Sequence, residues 1–229
     1  MTKVAKNQFN SPKRKWYDIV ISVIIGIAFM FTIAFLIFSI IFVRVDVIGV
    51  SMQPTYNSKL QEGLSREQYE DSKYQDKVYV NRFGKAKRGD IIVAKVKEQT
   101  SKGVKEVKVI KRLVALGGDS VDIKLESDGI YYLFVNDKKV EEKYIKNASN
   151  MAHCYENFVD YKTSKGLELD KPLKLAEDQI FILGDNRGQY SLDSSTYGPI
   201  SEKKIVGKVA FSVPYNSNFI SYYIFGIGR

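Results

Sequence analysis

Residues 19 to 43 read IVISVIIGIAFMFTIAFLIFSIIFV and contain no charged side chain. Only Ser22, Gly26, Thr32 and Ser39 interrupt the apolar run. Wound as a helix, the run is about 37 Å long, against a bilayer hydrocarbon core of about 30 Å. A cleaved signal peptide has a shorter apolar core, about 7 to 15 residues, and a soluble helix is seldom apolar on every side. The expected element is therefore a transmembrane helix over 17–43, preceded by a cytoplasmic tail over 1–16. Lys13, Arg14 and Lys15 stand directly before Trp16 and Tyr17. That order matches a cytoplasmic positive flank followed by an aromatic anchor at the interface, so residues 44–229 are expected outside the cytoplasm.

Charge is informative here mainly through its distribution. The formal net charge is +9, and Lys3, Lys6, Lys13, Arg14 and Lys15 supply five of those charges before the first acidic residue. The remainder is spread thinly, without a basic block interleaved with aromatic residues, so no nucleic-acid partner is expected. One cysteine, Cys154, and one histidine, His153, exclude an intramolecular disulfide and a Cys/His metal set. No metal or other cofactor is expected. The 45% hydrophobic content is enough for a real core beyond the apolar run.

From Lys77 onward the sequence alternates in short segments separated by turn formers. KVYVNRF (77–83), IIVAKVK (91–97), VKEVKVIKRLVAL (104–116), VDIKL (121–125), IYYLFVN (130–136), QIFIL (179–183) and VGKVAFSV (206–213) read as strands. The predicted fold is mainly β, with coiled antiparallel sheets. Residues 57–76 are polar without a period and predict a solvated loop or a short surface helix. Residues 140–177 lack strand signals until their end and predict an accessory lobe or cap. The apolar ending NFISYYIFGIGR is expected to pack on the core or lie in the membrane interface.

Ser51 lies in VIGVSMQPTY (47–56), between an apolar alternation and a turn. A serine attacks a carbonyl usefully only when a neighbouring group removes its proton. His153, in the unpatterned NMAHCYEN stretch, has nothing to place it beside Ser51. A lysine serves when burial lowers its pKa towards neutrality. Period-two alternation puts Lys111 on one strand face with Val107, Val109, Leu113 and Ala115, and turns Arg112 to the other with Ile110 and Val114. After QIFIL, the loop GDNRGQYSLDSSTYGPI (184–200) concentrates hydrogen-bonding side chains: Asp185, Asn186, Arg187, Ser191, Asp193 and Ser194. Composition alone assigns no roles among them.

Taken in order, the anchor, VIGVSMQPT (47–55), RGDIIV (88–93), VIKRLVALGGD (109–119) and GDNRGQYSLDSSTYG (184–198) resemble the bacterial type I signal peptidases. These are membrane-anchored Ser/Lys endopeptidases that remove signal peptides from exported proteins. The resemblance implies a β-sheet catalytic domain of the signal peptidase type behind one N-terminal transmembrane helix. It makes Ser51 the nucleophile, Lys111 the general base, and Ser191 a hydroxyl that orients the lysine. Val47, Ile48, Gly49, Met52, Tyr56, Val109 and Ile110 fall on the substrate-binding and oxyanion positions, with the Ser51 N–H as an oxyanion donor. An extended preprotein segment would add as a strand along 47–51 and 109–111, with small residues of the Ala-x-Ala type before the cut. The implied partners are secretory preproteins and the lipid bilayer. Oligomeric state is left open.

Several positions depart from the family pattern. Ser195 stands where an arginine usually follows the Asp-Ser pair, so the usual salt bridge to Asp193 cannot form. Three residues, Gly188 to Tyr190, separate Arg187 from Ser191 where two are usual. Gly117 replaces a common proline, Tyr56 a common leucine, and Gly49 a hydroxyl residue found in some members. The altered loop motivates an alternative reading, a signal-peptidase-like assembly factor for surface polymers such as pili.

Overall fold

The computed structural model describes residues 15–61, 63–100, 103–145, 150–188 and 192–217. By contact, the chain divides into Met1–Ile41 and Phe42–Arg229. In the first unit, helix α1 runs Trp16–Ile41. Its three aliphatic hydroxyls bond within the helix, Ser22 Oγ to Asp18 O at 2.7 Å, Thr32 Oγ1 to Ala28 O at 2.9 Å and Ser39 Oγ to Phe35 O at 2.8 Å. None of these three hydroxyls is thus left for water to satisfy, as a lipid environment requires. The helix ends two residues before the expected boundary at Val43. Phe42 and Val43 instead open strand β1, Phe42–Asp46.

The second unit is built on antiparallel sheets, as the alternation predicts. Its further strands are β2 (Lys77–Asn81), β3 (Ile91–Thr100), β4 (Gly103–Ala115), β5 (Ser120–Leu125), β6 (Tyr131–Val135), β7 (Lys138–Lys139), β8 (Leu173–Lys174), β9 (Gln179–Leu183), β10 (Ile200–Ser201) and β11 (Ile205–Val213). Among the described residues they form a seven-stranded sheet, ordered β1-β2-β11-β3-β4-β9-β10, and a four-stranded sheet, β7-β6-β5-β8. The β1 register, with Val45 opposite Val78 and Phe42 opposite Asn81, explains the early end of α1: FVRVD alternates and finds a partner strand.

Two clusters serve the large sheet. One gathers Ile92, Ala94, Val96, Leu113, Ile180 and Ile182, with Val109 against it. The other gathers Val47, Met52, Tyr56, Val78, Val80 and Val93, with Ile110 against it. Lys111 shares the strand face of Val109 and Leu113 as expected. Ala115 does not stay on it: the β4–β9 register shifts between Leu113 and Ala115, and Ala115 joins Val114 in the core of the small sheet. A bulge of this kind interrupts alternation that sequence spacing assumes to be strict.

The stretch 140–177 contains helix α3, Met151–Ser164, whose inner stripe is Met151, Cys154, Phe158 and Lys162. Spacings of three and four residues put these on one helix face, against Val121, Ile123, Leu133 and Phe181. Lys162 ends the apolar stripe with a charge, and its Nζ donates to Leu169 O at 3.1 Å and Lys171 O at 2.5 Å. His153 lies on the same helix, with Nδ1 3.2 Å from Glu156 Oε2. Residues 57–76 do contain a short helix, α2 (Arg66–Glu70), started by a Ser65/Gln68 capping box. The stretch is less solvated than expected, since Asn57 and Leu60 before the helix and Tyr69 on it are buried.

Gly117 has a local reason. A Cβ there would stand 2.0 Å from the carbonyl oxygen of Glu177, a backbone atom that cannot swing aside. Neither alanine nor proline fits this backbone. Gly117→Ala is expected to destabilise the domain by about 1 to 3 kcal/mol, the usual cost of overpacking, as a lowered urea midpoint at unchanged slope.

Candidate active site

Strand β1 delivers the chain to Val47, whose N–H donates to Asp76 O at 2.9 Å. Val47 to Val50 belong to neither sheet. The side chain of Asn57 holds them instead: Nδ2 donates to Val47 O at 2.6 Å and Gly49 O at 2.8 Å. Asn57 is itself fixed by reciprocal bonds with Asp76, Asn57 N to Oδ2 at 2.7 Å and Asp76 N to Asn57 Oδ1 at 2.8 Å. Gly49 has φ +81°, a conformation that a side chain strains, which accounts for glycine at this place. Val47 and Met52 are buried, while Ile48 is 43% exposed.

Strand β4 carries Lys111, which is 3% exposed. Its Nζ lies 2.5 Å from Ser51 Oγ, although the two residues are 60 apart in sequence. Loss of hydration pulls the Lys111 pKa down to about 8, and the negative charges of Asp193 and Asp185 limit the fall. The amine is thus within two pKa units of neutrality, the range in which a lysine can accept a proton in water. Strand β9 begins to pair with β4 only at Arg112. Among the described residues, the β4 edge from Val109 to Lys111 opposite β3 therefore carries no β9 partner, next to the serine.

The loop after β9 surrounds this pair. Asp185 accepts from Arg112 Nε at 2.8 Å and Nη2 at 2.6 Å, and from Thr55 Oγ1 at 2.5 Å. The Asn186 N–H donates to the Ser51 carbonyl at 3.1 Å. Arg187, fully buried, donates from Nε to Gly184 O at 2.7 Å and from both Nη atoms to Glu142, with Nη1–Oε2 at 2.9 Å. Ser194 Oγ accepts from Ile182 N at 3.0 Å, and helix α4 (Ser194–Tyr197) starts there. Asp193 accepts from Gly184 N at 2.8 Å, Ser195 N at 3.0 Å and Ser195 Oγ at 2.7 Å. The Ser195 hydroxyl and the Asp193 carboxylate it donates to are both buried. Tyr56 is buried beside this loop, and burial raises its phenol pKa to about 12.

Ser51, Lys111, Asp185, Asn186, Arg187, Asp193 and Ser194 are therefore brought together from three distant segments. Ser191 and the apolar C-terminal residues 218–229 lie outside the described residues. Sequence reasoning missed Asn57, Thr55, Glu142 and Tyr144. Asn57 and Thr55 adjoin a recognised motif, but nothing in their spacing marks a long-range partner. Glu142 and Tyr144 sit in a stretch with no pattern.

The family model described as signal peptidase, peptidase S26, matches residues 19–214. The chain belongs to the signal peptidase family, peptidase S26. Three relatives illustrate the similarity. Signal peptidase I P of Bacillus subtilis subsp. natto is 32% identical over 205 residues, 87% of this chain and 91% of that protein. Signal peptidase I V of Bacillus subtilis (strain 168) is 33% identical over 173 residues, 74% and 84% of the two chains. Signal peptidase IB of Staphylococcus aureus is 29% identical over 195 residues, 82% and 86%. Membership of the signal peptidase family, with one apolar N-terminal helix long enough to span a bilayer, points to a membrane-anchored single-pass peptidase.

Proposed function

We propose that the protein is a type I signal peptidase, cutting secretory preproteins after small residues of the Ala-x-Ala type. The observation that carries the mechanism is the 2.5 Å approach of a buried lysine amine to Ser51 Oγ. In the neutral form, Lys111 takes the Ser51 proton as Oγ attacks the scissile carbonyl. The oxyanion that forms is opposite the Ser51 N–H, and collapse to the acyl-enzyme passes the proton to the leaving amine. Lys111 then takes a proton from water, which attacks the ester, and returns it to Ser51 as the carboxylate product leaves. The substrate strand would lie on the open edge of β4 at Val109 to Lys111, facing Val47 to Ser51. Its preprotein partners and the bilayer meet outside the cytoplasm in this reading, with the tail before Trp16 inside.

Cleavage of an Ala-x-Ala preprotein by the full chain in detergent tests the reading. Ser51→Ala is expected to lower kcat at least about 1,000-fold, since nucleophile and base act as one unit. For the unaltered chain, only the neutral amine accepts a proton, so kcat/KM should rise with pH through a midpoint near 8. An acid limb two or more units lower would exclude Lys111 as the base.

A further inference from the structure

The loop Asp185–Arg187 is also gripped from the stretch between β7 and α3, by residues that the mechanism above does not use. Glu142 lies between β7 and α3, 45 residues from Arg187. Its side chain is 8% exposed and pairs with both Nη atoms of Arg187, whose side chain has no exposure at all. The same carboxylate accepts from Tyr144 OH at 2.7 Å. The Tyr144 ring centre lies 3.8 Å from Arg112 Cζ, a close cation–π contact. Arg112 in turn holds Asp185 through two nitrogens.

One carboxylate therefore fixes both ends of the loop, Arg187 directly and Asp185 through Tyr144 and Arg112. Asn186 lies between these ends, and its N–H holds the Ser51 carbonyl. Asp185 adds a second hold on the same segment through Thr55 Oγ1. Each contact has little freedom: a two-nitrogen Arg–carboxylate pair sets a plane, and a ring stacked on a guanidinium sets a second. A small rotation of the loop would move the Ser51 carbonyl, and Oγ with it, away from Lys111 Nζ.

We infer that Glu142 and Tyr144 are positioning residues for the Ser51–Lys111 pair, through which the stretch between β7 and α3 sets the attack geometry of the nucleophile. The inference rests on the proposed Ser/Lys mechanism. Its consequence is a loss in the chemical step and not in substrate binding, because neither residue lies on the β4 edge proposed to take the peptide.

The test is steady-state cleavage of an Ala-x-Ala preprotein by the full chain in detergent, below the unfolding midpoint of every variant. Tyr144→Leu removes both ring and hydroxyl and should lower kcat about 10- to 100-fold, the scale of a misplacement near 1 Å, with KM within about twofold. Tyr144→Phe keeps the ring over Arg112 and should recover most of that loss. Glu142→Gln keeps the shape but weakens the hold on Arg187, and should fall between the two. A kcat for Tyr144→Leu within twofold of the unaltered chain overturns the inference, as does a fall that only follows the folded fraction. Ser51→Ala and Lys111→Met run alongside: cleavage by either sinks the dyad and this inference with it. Inactivity of both beside normal turnover of Tyr144→Leu overturns the inference alone.

Discussion

Lys111→Met is expected to abolish preprotein cleavage and, at the same time, to stabilise the folded domain at pH 7. The two effects have one cause. Lys111 is 3% exposed, and desolvation lowers its pKa to about 8 in the fold, against about 10.4 in the unfolded chain. At pH 7 both states hold the proton, so folding bears the full penalty of a buried ammonium, on the order of 3 kcal/mol. Methionine has similar volume and no charge. Losing the contact to Ser51 Oγ offsets about 1 kcal/mol, which leaves a net gain of about 2 kcal/mol.

The pH dependence has a definite sign. Between pH 8 and about 10.4 the unfolded chain binds more protons at this residue than the folded one, so this contribution raises stability with pH across that window. Below pH 8 the penalty is complete, and above about 10.4 it is gone. Urea denaturation of the full chain in detergent at pH 7 and pH 10 should show Lys111→Met more stable at pH 7, with the difference closing by pH 10. A variant less stable than the unaltered chain at pH 7 would mean that Lys111 is not held at a desolvation cost, and the argument for its neutrality would fail.

Arg187→Met should have the opposite effect on stability, and a larger one. Arg187 and Glu142 form an ion pair with side-chain exposures of 0% and 8%. Removing the guanidinium leaves the Glu142 carboxylate buried with only Tyr144 OH as a donor among the described residues, and leaves Gly184 O without Nε. Breaking a buried pair from one side costs about 3 to 5 kcal/mol. Replacing both partners, as Arg187→Met with Glu142→Leu, should be far less costly than the sum of the single changes, because no charge is then stranded. A double-mutant cycle by denaturation measures the difference. Additive single costs would show that the pair is not coupled.

The same pair marks where reading by sequence stopped. Strands β2, β3, β4, β5, β6, β9 and β11 were legible because a two-residue period is a local property: the side chains that create it also enter the cores. Ser51 and Lys111 were legible by resemblance to motifs, supported for Lys111 by the apolar face on which alternation places it. Helix α3 was not legible, because its stripe of Met151, Cys154, Phe158 and Lys162 ends on a lysine and looks broken. The carbonyls of Leu169 and Lys171 complete it, and they come from the turn beyond the helix.

Sequence by itself determined the apolar span, the order of strands and the residue types able to perform serine chemistry without histidine. Tertiary structure decided that Lys111 Nζ reaches Ser51 Oγ and loses its water, that Asn57 holds the chain before the serine, and that Glu142 and Tyr144 brace the loop behind it. The physical reason is range. Hydrophobic periodicity is written residue by residue along each element, whereas a hydrogen bond between residues 45, 60 or 73 positions apart leaves no trace in the spacing of either partner's neighbours.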